Sequence, residues 1–150
     1  MEKLKFSVTI DAPREKVWDV LLGEKTYPMW TAPFAEGSRV ETDWQEGSKA
    51  VFLDGTGQGM VARIARNIPN EFLSIQHLGE LKNGVEDLDS EEVKKWAGAL
   101  ENYWLKTTNG STELLIELDT VEEFKEYMEK AWPKALAKVK ELAEKQAQLA

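Results

Sequence analysis

No cysteine occurs in the 150 residues, which excludes disulfide and thiolate-metal frameworks at the outset. A single histidine, His77, together with that absence argues against a zinc centre, which draws on several imidazole or thiolate ligands. No apolar run approaches the roughly 18 residues that a membrane span needs. Residues 1–10 alternate in polarity instead of forming the apolar core of a signal peptide, so the expected location is cytoplasmic. Basic residues are also in short supply, 19 Lys and Arg against 27 Asp and Glu, and the net charge is −8. Nucleic acid is therefore not an expected partner, since phosphate binding draws on surplus Lys and Arg. An anionic membrane surface is disfavoured on the same ground. No glycine-rich phosphate loop opens a helix, and no cofactor or metal is expected. The acidic run Glu86, Asp87, Asp89, Glu91, Glu92 fails the calcium-loop pattern, because Glu92 stands where glycine is required.

What remains is an ordinary globular composition, 42% hydrophobic and 31% charged, in a chain of one-domain size. A single domain over residues 1–150 is expected, without repeat or linker. Leu4, Phe6, Val8 and Ile10 alternate with polar residues as in a half-buried strand. Asp11-Ala12-Pro13 carries a capping residue and a proline where a helix can begin, and Val17, Trp18, Leu21 and Leu22 form one face of that helix before Gly23. The segment 27–34 is unusually aromatic for a connector with two prolines and is expected to pack inward. Strands follow around 38–44, 48–54, 59–67 and 71–80, divided by Gly-containing turns. Residues 83–90 read as a polar connector, and Asp89 with Glu92 has capping-box spacing for a helix bearing Val93, Trp96, Ala97 and Leu100.

The sharpest local signal is Asn109-Gly110, the preferred pair for a two-residue type I′ turn, between strand-like runs 100–107 and 112–119. That turn predicts Leu105 facing Leu114, Tyr103 facing Ile116 and Glu101 facing Leu118. Because Leu114, Ile116 and Leu118 are the apolar set, Tyr103 and Glu101 point inward with them. A slip of one residue would turn Glu101 outward. Residues 121–149 read as one long helix with an apolar stripe from Phe124 through Met128, Trp132, Leu136 and Val139 to Ala143. Pro133 is expected to remove one backbone bond and bend this helix without ending it.

The order of elements, with the motifs Ile10-Asp11-Ala12-Pro13-Arg14-Glu15-Lys16-Val17-Trp18, Trp30, Asp43-Trp44-Gln45-Glu46-Gly47-Ser48, Gly59, Pro69-Asn70-Glu71-Phe72-Leu73, Thr112-Glu113-Leu114-Leu115-Ile116 and Ala131-Trp132-Pro133-Lys134-Ala135-Leu136, resembles the START-like (SRPBCC) superfamily. Within it the chain resembles the family of homologues of the heat-shock protein 90 ATPase activator. The resemblance implies an α+β helix-grip fold (START-like or Bet v-like), a curved antiparallel sheet wrapped around a long C-terminal helix with an internal cavity. Relatives variously bind lipids, hormones or polyketides, or catalyse cyclisation. Two departures stand out. The 150 residues are expected to leave no room for the extra N-terminal domain of the co-chaperones, and the acidic stretch 83–97 is longer than the usual connector.

On this basis Trp30, Phe34, Ile75, His77, Trp96, Glu101, Tyr103, Ile116, Met128 and Trp132 are expected to line a ligand cavity. His77 shares strand parity with Leu73 and Ile75. It is either a general base or a polar residue fixed by one hydrogen bond. An inward Glu101 needs a proton or a cationic partner such as Arg63. Six tryptophans suit the wall of an apolar pocket, although Trp18 and Trp132 lie on helix stripes where core packing explains them. Segments 27–34 and 90–97 would rim the mouth, with Trp96 on a movable lid. The leading expectation is a non-catalytic protein binding a small, mostly apolar molecule, lipid-like or aromatic. A cyclase- or hydrolase-type enzyme using His77 and Glu101 as acid and base, with Tyr103 orienting substrate, is the second. A co-chaperone acting on a heat-shock protein 90-type chaperone is the third.

Overall fold

Strand alternation and one long amphipathic helix dictate the architecture of the computed structural model, which describes residues 1–149. The elements are β1 (Glu2–Ile10), α1 (Arg14–Leu22), α2 (Tyr27–Thr31), β2 (Arg39–Glu41), β3 (Lys49–Leu53), β4 (Gly59–Ile68), β5 (Phe72–Lys82), β6 (Val85–Asp87), α3 (Glu91–Lys94), β7 (Leu100–Thr108), β8 (Ser111–Thr120) and α4 (Glu122–Leu149). The strands form one antiparallel, curved sheet in the order β1-β8-β7-β5-β4-β3-β2, with β6 paired to β5. The fold is α+β helix-grip, with α4 packed against β1, α1 and α2. Among the described residues no helix is long and apolar enough to cross a membrane.

Pairing of β1 with β8 shows how the sequence sorts the two faces of the sheet. Leu4, Phe6 and Val8 oppose Leu118, Ile116 and Leu114 on the helix side. On the outer side Lys3 reaches Asp119 at 2.9 Å and Lys5 reaches Glu117 at 3.8 Å. Cross-strand apolar pairs inside and opposite charges outside agree on a single register. At the far end of β8 the Asn109-Gly110 turn has φ of 51° and 86°, as a type I′ hairpin requires. The register it forces is the one read from the sequence, with Leu105 on Leu114, Tyr103 on Ile116 and Glu101 on Leu118.

Several local expectations need correction. Asp11 does not cap α1. Pro13 occupies the N-cap without a side-chain bond, and the Asp11 backbone N–H instead donates to Glu144 Oε2 of α4 at 2.8 Å. The cap of α3 is Ser90, whose hydroxyl accepts from the Val93 N–H at 3.3 Å, so the capping position lies one residue beyond Asp89. That helix ends at Lys94 and does not continue to Leu100. Gly98, at φ 93°, turns the chain directly into β7, a conformation that glycine adopts without a Cβ penalty. The polar connector 83–90 contains a strand of its own, β6. As expected, Pro133 does not end α4, which runs from Glu122 to Leu149 with Pro133 on its exposed side.

Candidate functional site

The sheet and α4 meet tightly at one end only. Toward the C-terminal half of the helix, Ala135, Leu136, Val139 and Ala143 are buried against Ile10, Val17, Val20 and Leu114. Toward its N-terminal half larger side chains stand between helix and sheet, and a cavity of about 530 Å³ opens. α2 closes one side of it. Trp30 is fixed there by its indole N–H, which donates to the Leu21 carbonyl at 3.2 Å. Phe34 meets Trp132 edge-on at 4.9 Å between ring centroids, and Trp132 in turn lies 6.0 Å from Tyr103. Phe124 and Tyr127 line the cavity yet are 41% and 45% exposed, which places the mouth at the start of α4.

Eight of the ten expected residues line this cavity, namely Trp30, Phe34, His77, Trp96, Glu101, Tyr103, Met128 and Trp132. Ile75 and Ile116 do not. Both point to the helix side of the sheet, but other side chains fill the space above them and they are 2% and 1% exposed. Ile75 borders only a residual gap of about 10 Å³ under Leu21 and Tyr27, near the lower limit for holding one water. Sequence reasoning missed Tyr27, Phe52, Met60, Leu118 and Tyr127. Leu118 was legible, since it belongs to the inward set of the hairpin, and Tyr27 sits inside the aromatic segment 27–34. Tyr127 lies beside the helix stripe and carried no signal.

The polar content of the wall centres on Glu101. Tyr103 donates its hydroxyl hydrogen bond to Glu101 Oε2, and His77 Nε2 lies 3.0 Å from Glu101 Oε1. The neighbouring strands β5 and β7 bring these groups together, with Ile75 registered on Glu101. Arg63 is not the partner. It alternates with buried Ala62 and Ile64, so it points outward, where it donates to Gln76 Oε1 at 2.9 Å. His77 Nδ1 is buried and meets no hydrogen-bond partner among the described residues. Burial, and then the Glu101 charge, push the Tyr103 and Tyr27 phenols well above their ordinary range, so both remain protonated donors at neutral pH. Among the described residues no group of three His, Asp or Glu could hold a metal ion.

The chemistry available follows from these positions. A mostly apolar, aromatic chamber carries one carboxyl group, Glu101, bonded to the Tyr103 hydroxyl and the His77 ring. The imidazole has one nitrogen committed to that carboxylate and the other buried, so it has no free nitrogen directed at a substrate. Such a wall can orient a bound molecule, and it is poorly arranged to exchange protons with one.

An antiparallel sheet gripping a long C-terminal helix around a cavity is the helix-grip class of protein. The profile of the family described as "Activator of Hsp90 ATPase homolog 1-like protein" matches residues 11–144, and the chain belongs to that family. Its fold is similar to the solution structure of the Aha1 dimer from Colwellia psychrerythraea, with 18% identity, a TM-score of 0.74, and coverage of 96% of this chain and 97% of that one. It is equally similar to the crystal structure of protein MLL2253 from Mesorhizobium loti, at 16% identity, a TM-score of 0.74 and coverage of 96% and 98%. DynU16, a protein of the dynemicin biosynthetic locus, matches at 13% identity with a TM-score of 0.72, covering 98% of this chain and 49% of its own. No curated protein matches the chain.

Proposed function

We propose that this chain is one non-catalytic START-like domain that binds a small, mostly apolar molecule between its sheet and α4. The observation that carries this reading is the cavity of about 530 Å³ walled by aromatic side chains. Ligand sites are commonly concave, mainly apolar and about 300–1,000 Å³ in volume, with a few fixed polar groups. The buried Nδ1 of His77 supports binding over acid–base catalysis. Native mass spectrometry of protein purified gently from its own host tests the proposal, followed by denaturing extraction of whatever is retained. A retained small molecule that a cavity-filling Met60→Trp variant no longer holds is the expected result. An empty protein whose melting temperature is also unmoved by a lipid and aromatic library would overturn it.

Membership of the activator-homologue family favours a second reading, in which the chain acts on a heat-shock protein 90-type chaperone. The two readings separate by measurement. Stimulation of chaperone ATPase activity that survives Met60→Trp belongs to the surface and not to the cavity.

A further inference from the structure

The charges around the cavity are one-sided. Asp54, Glu80, Glu101 and Asp119 all line it, while Arg39 is the sole lysine or arginine among the described lining residues. Arg39 is exposed and lies 3.5 Å from Glu41, so it offers no buried cation to a ligand. Asp54 and Asp119 are engaged in hydrogen bonds, and Glu80, whose buried Oε2 accepts no hydrogen bond among the described residues, has a lysine beside it. Asp54 accepts from the Thr56 hydroxyl at 2.6 Å, Asp119 from Lys3 Nζ at 2.9 Å, and Glu80 Oε2 lies 3.3 Å from Lys82 Nζ.

Glu101 differs from Asp119 and Glu80, which each have a lysine partner, and from Asp54, which is held by Thr56 within its own turn. Its partners are the Tyr103 hydroxyl and His77 Nε2, and no lysine or arginine among the described residues lies within salt-bridge distance. A carboxylate offers about four acceptor sites. Tyr103 and His77 take one each, and about two remain available to whatever enters the chamber. Aromatic rings stand around the same space. Tyr103 lies 6.0 Å from Trp132, Trp132 lies 4.9 Å from Phe34, and Phe52 lies 5.9 Å from His77.

Resting on the binding function proposed above, we propose that the cavity ligand is an amine, an aromatic or aliphatic body carrying one ammonium group that docks against Glu101. An ammonium entering the chamber loses hydration, and it is compensated by a carboxylate that no lysine or arginine among the described residues pairs with, and by the negative faces of the surrounding rings. A fatty acid or other carboxylate of the same shape gains nothing comparable. Its head would meet Glu101 as a like charge, with no lysine or arginine inside to receive it. The ring walls accept the body of either molecule, so the head group decides between them.

The test uses three probes with one aromatic body, naphthylmethylamine, naphthylmethanol and naphthoate, titrated calorimetrically into the full chain at pH 7. The amine is expected to bind at least about tenfold more tightly than naphthoate, with the neutral alcohol between them. Glu101→Gln is expected to remove the amine's advantage over the alcohol while moving the alcohol's own affinity by less than about threefold. The wild-type ratio of amine to naphthoate needs no variant, so a poorly folding Glu101→Gln does not decide the outcome. Naphthoate binding as tightly as the amine overturns the ammonium assignment and leaves the cavity reading standing if the alcohol also binds. Failure of all three probes to bind counts against both.

Discussion

The two halves of α4 face the same sheet and do opposite things. From Ala135 onward the helix presents Ala135, Leu136, Val139 and Ala143, each at most 3% exposed, and the space against α1 and β1 is filled. Before that point it presents Phe124, Tyr127, Met128 and Trp132, and the helix borders a chamber. Small residues let backbones approach and interlock at native density. Large aromatic residues that lean on one another across Phe34, Trp30 and Trp132 hold the layers apart. The difference teaches that the cavity is a consequence of side-chain size along one helix. The same amphipathic period seals one end and opens the other.

The largest expected effect attacks the sealed half. Val139→Asp places a carboxylate where nothing can hydrate or pair with it, and should cost upward of about 4 kcal/mol in urea unfolding. A smaller loss would mean that this end of the helix opens easily, and the comparison would break. Truncations of similar size sharpen it further. Leu136→Ala leaves a void in packed surroundings and should cost about 3 kcal/mol. Met128→Ala only enlarges space that is already empty and should cost about 1 kcal/mol. Equal losses at the two positions would show that the chamber is closed in solution.

How much of this was legible depended on which physical signal carried each feature. The Asn109-Gly110 turn has one geometry, so the register of β7 on β8, and with it the inward Glu101, followed from two residues. Parity told which face Ile75 and Ile116 occupy. It carried no information on whether another element fills the space above them, and both proved to be packed core. The partner of Glu101 was misread because it depends on the pairing of β4, β5 and β7. A register shift between Val61 and Ala62 leaves Leu78 without a partner opposite, while Ala62 pairs His77. Periodicity through Val93, Trp96 and Ala97 suggested a longer helix, and Gly98 was the stop signal that this reading passed over. Local turn chemistry and alternation were readable. Features set by three elements meeting were not.

The smallest effect probes the rim, where Asp119 joins the two regions. Burial works against its charge, yet the Leu100 N–H at 3.0 Å and Lys3 outweigh that and hold its carboxyl below the ordinary value of 3.8. A carboxyl lowered on folding contributes stability above its unfolded pKa, and that contribution is lost as pH falls through the lower folded value. Asp119→Asn should therefore cost about 1 kcal/mol at pH 7, discounted for the exposure of Lys3. The gap between variant and wild type should shrink as pH falls below about 4. Asp43, Asp54 and Asp87 are also held below their ordinary value, by backbone and hydroxyl donors in their own turns. They lower the acid stability of both proteins alike and cancel in the difference. A gap that stays constant from pH 7 to pH 3 would mean that Asp119 acts through its shape alone. The Lys3 and Leu100 contacts would then not be what ties β1 and β7 together at the edge of the chamber.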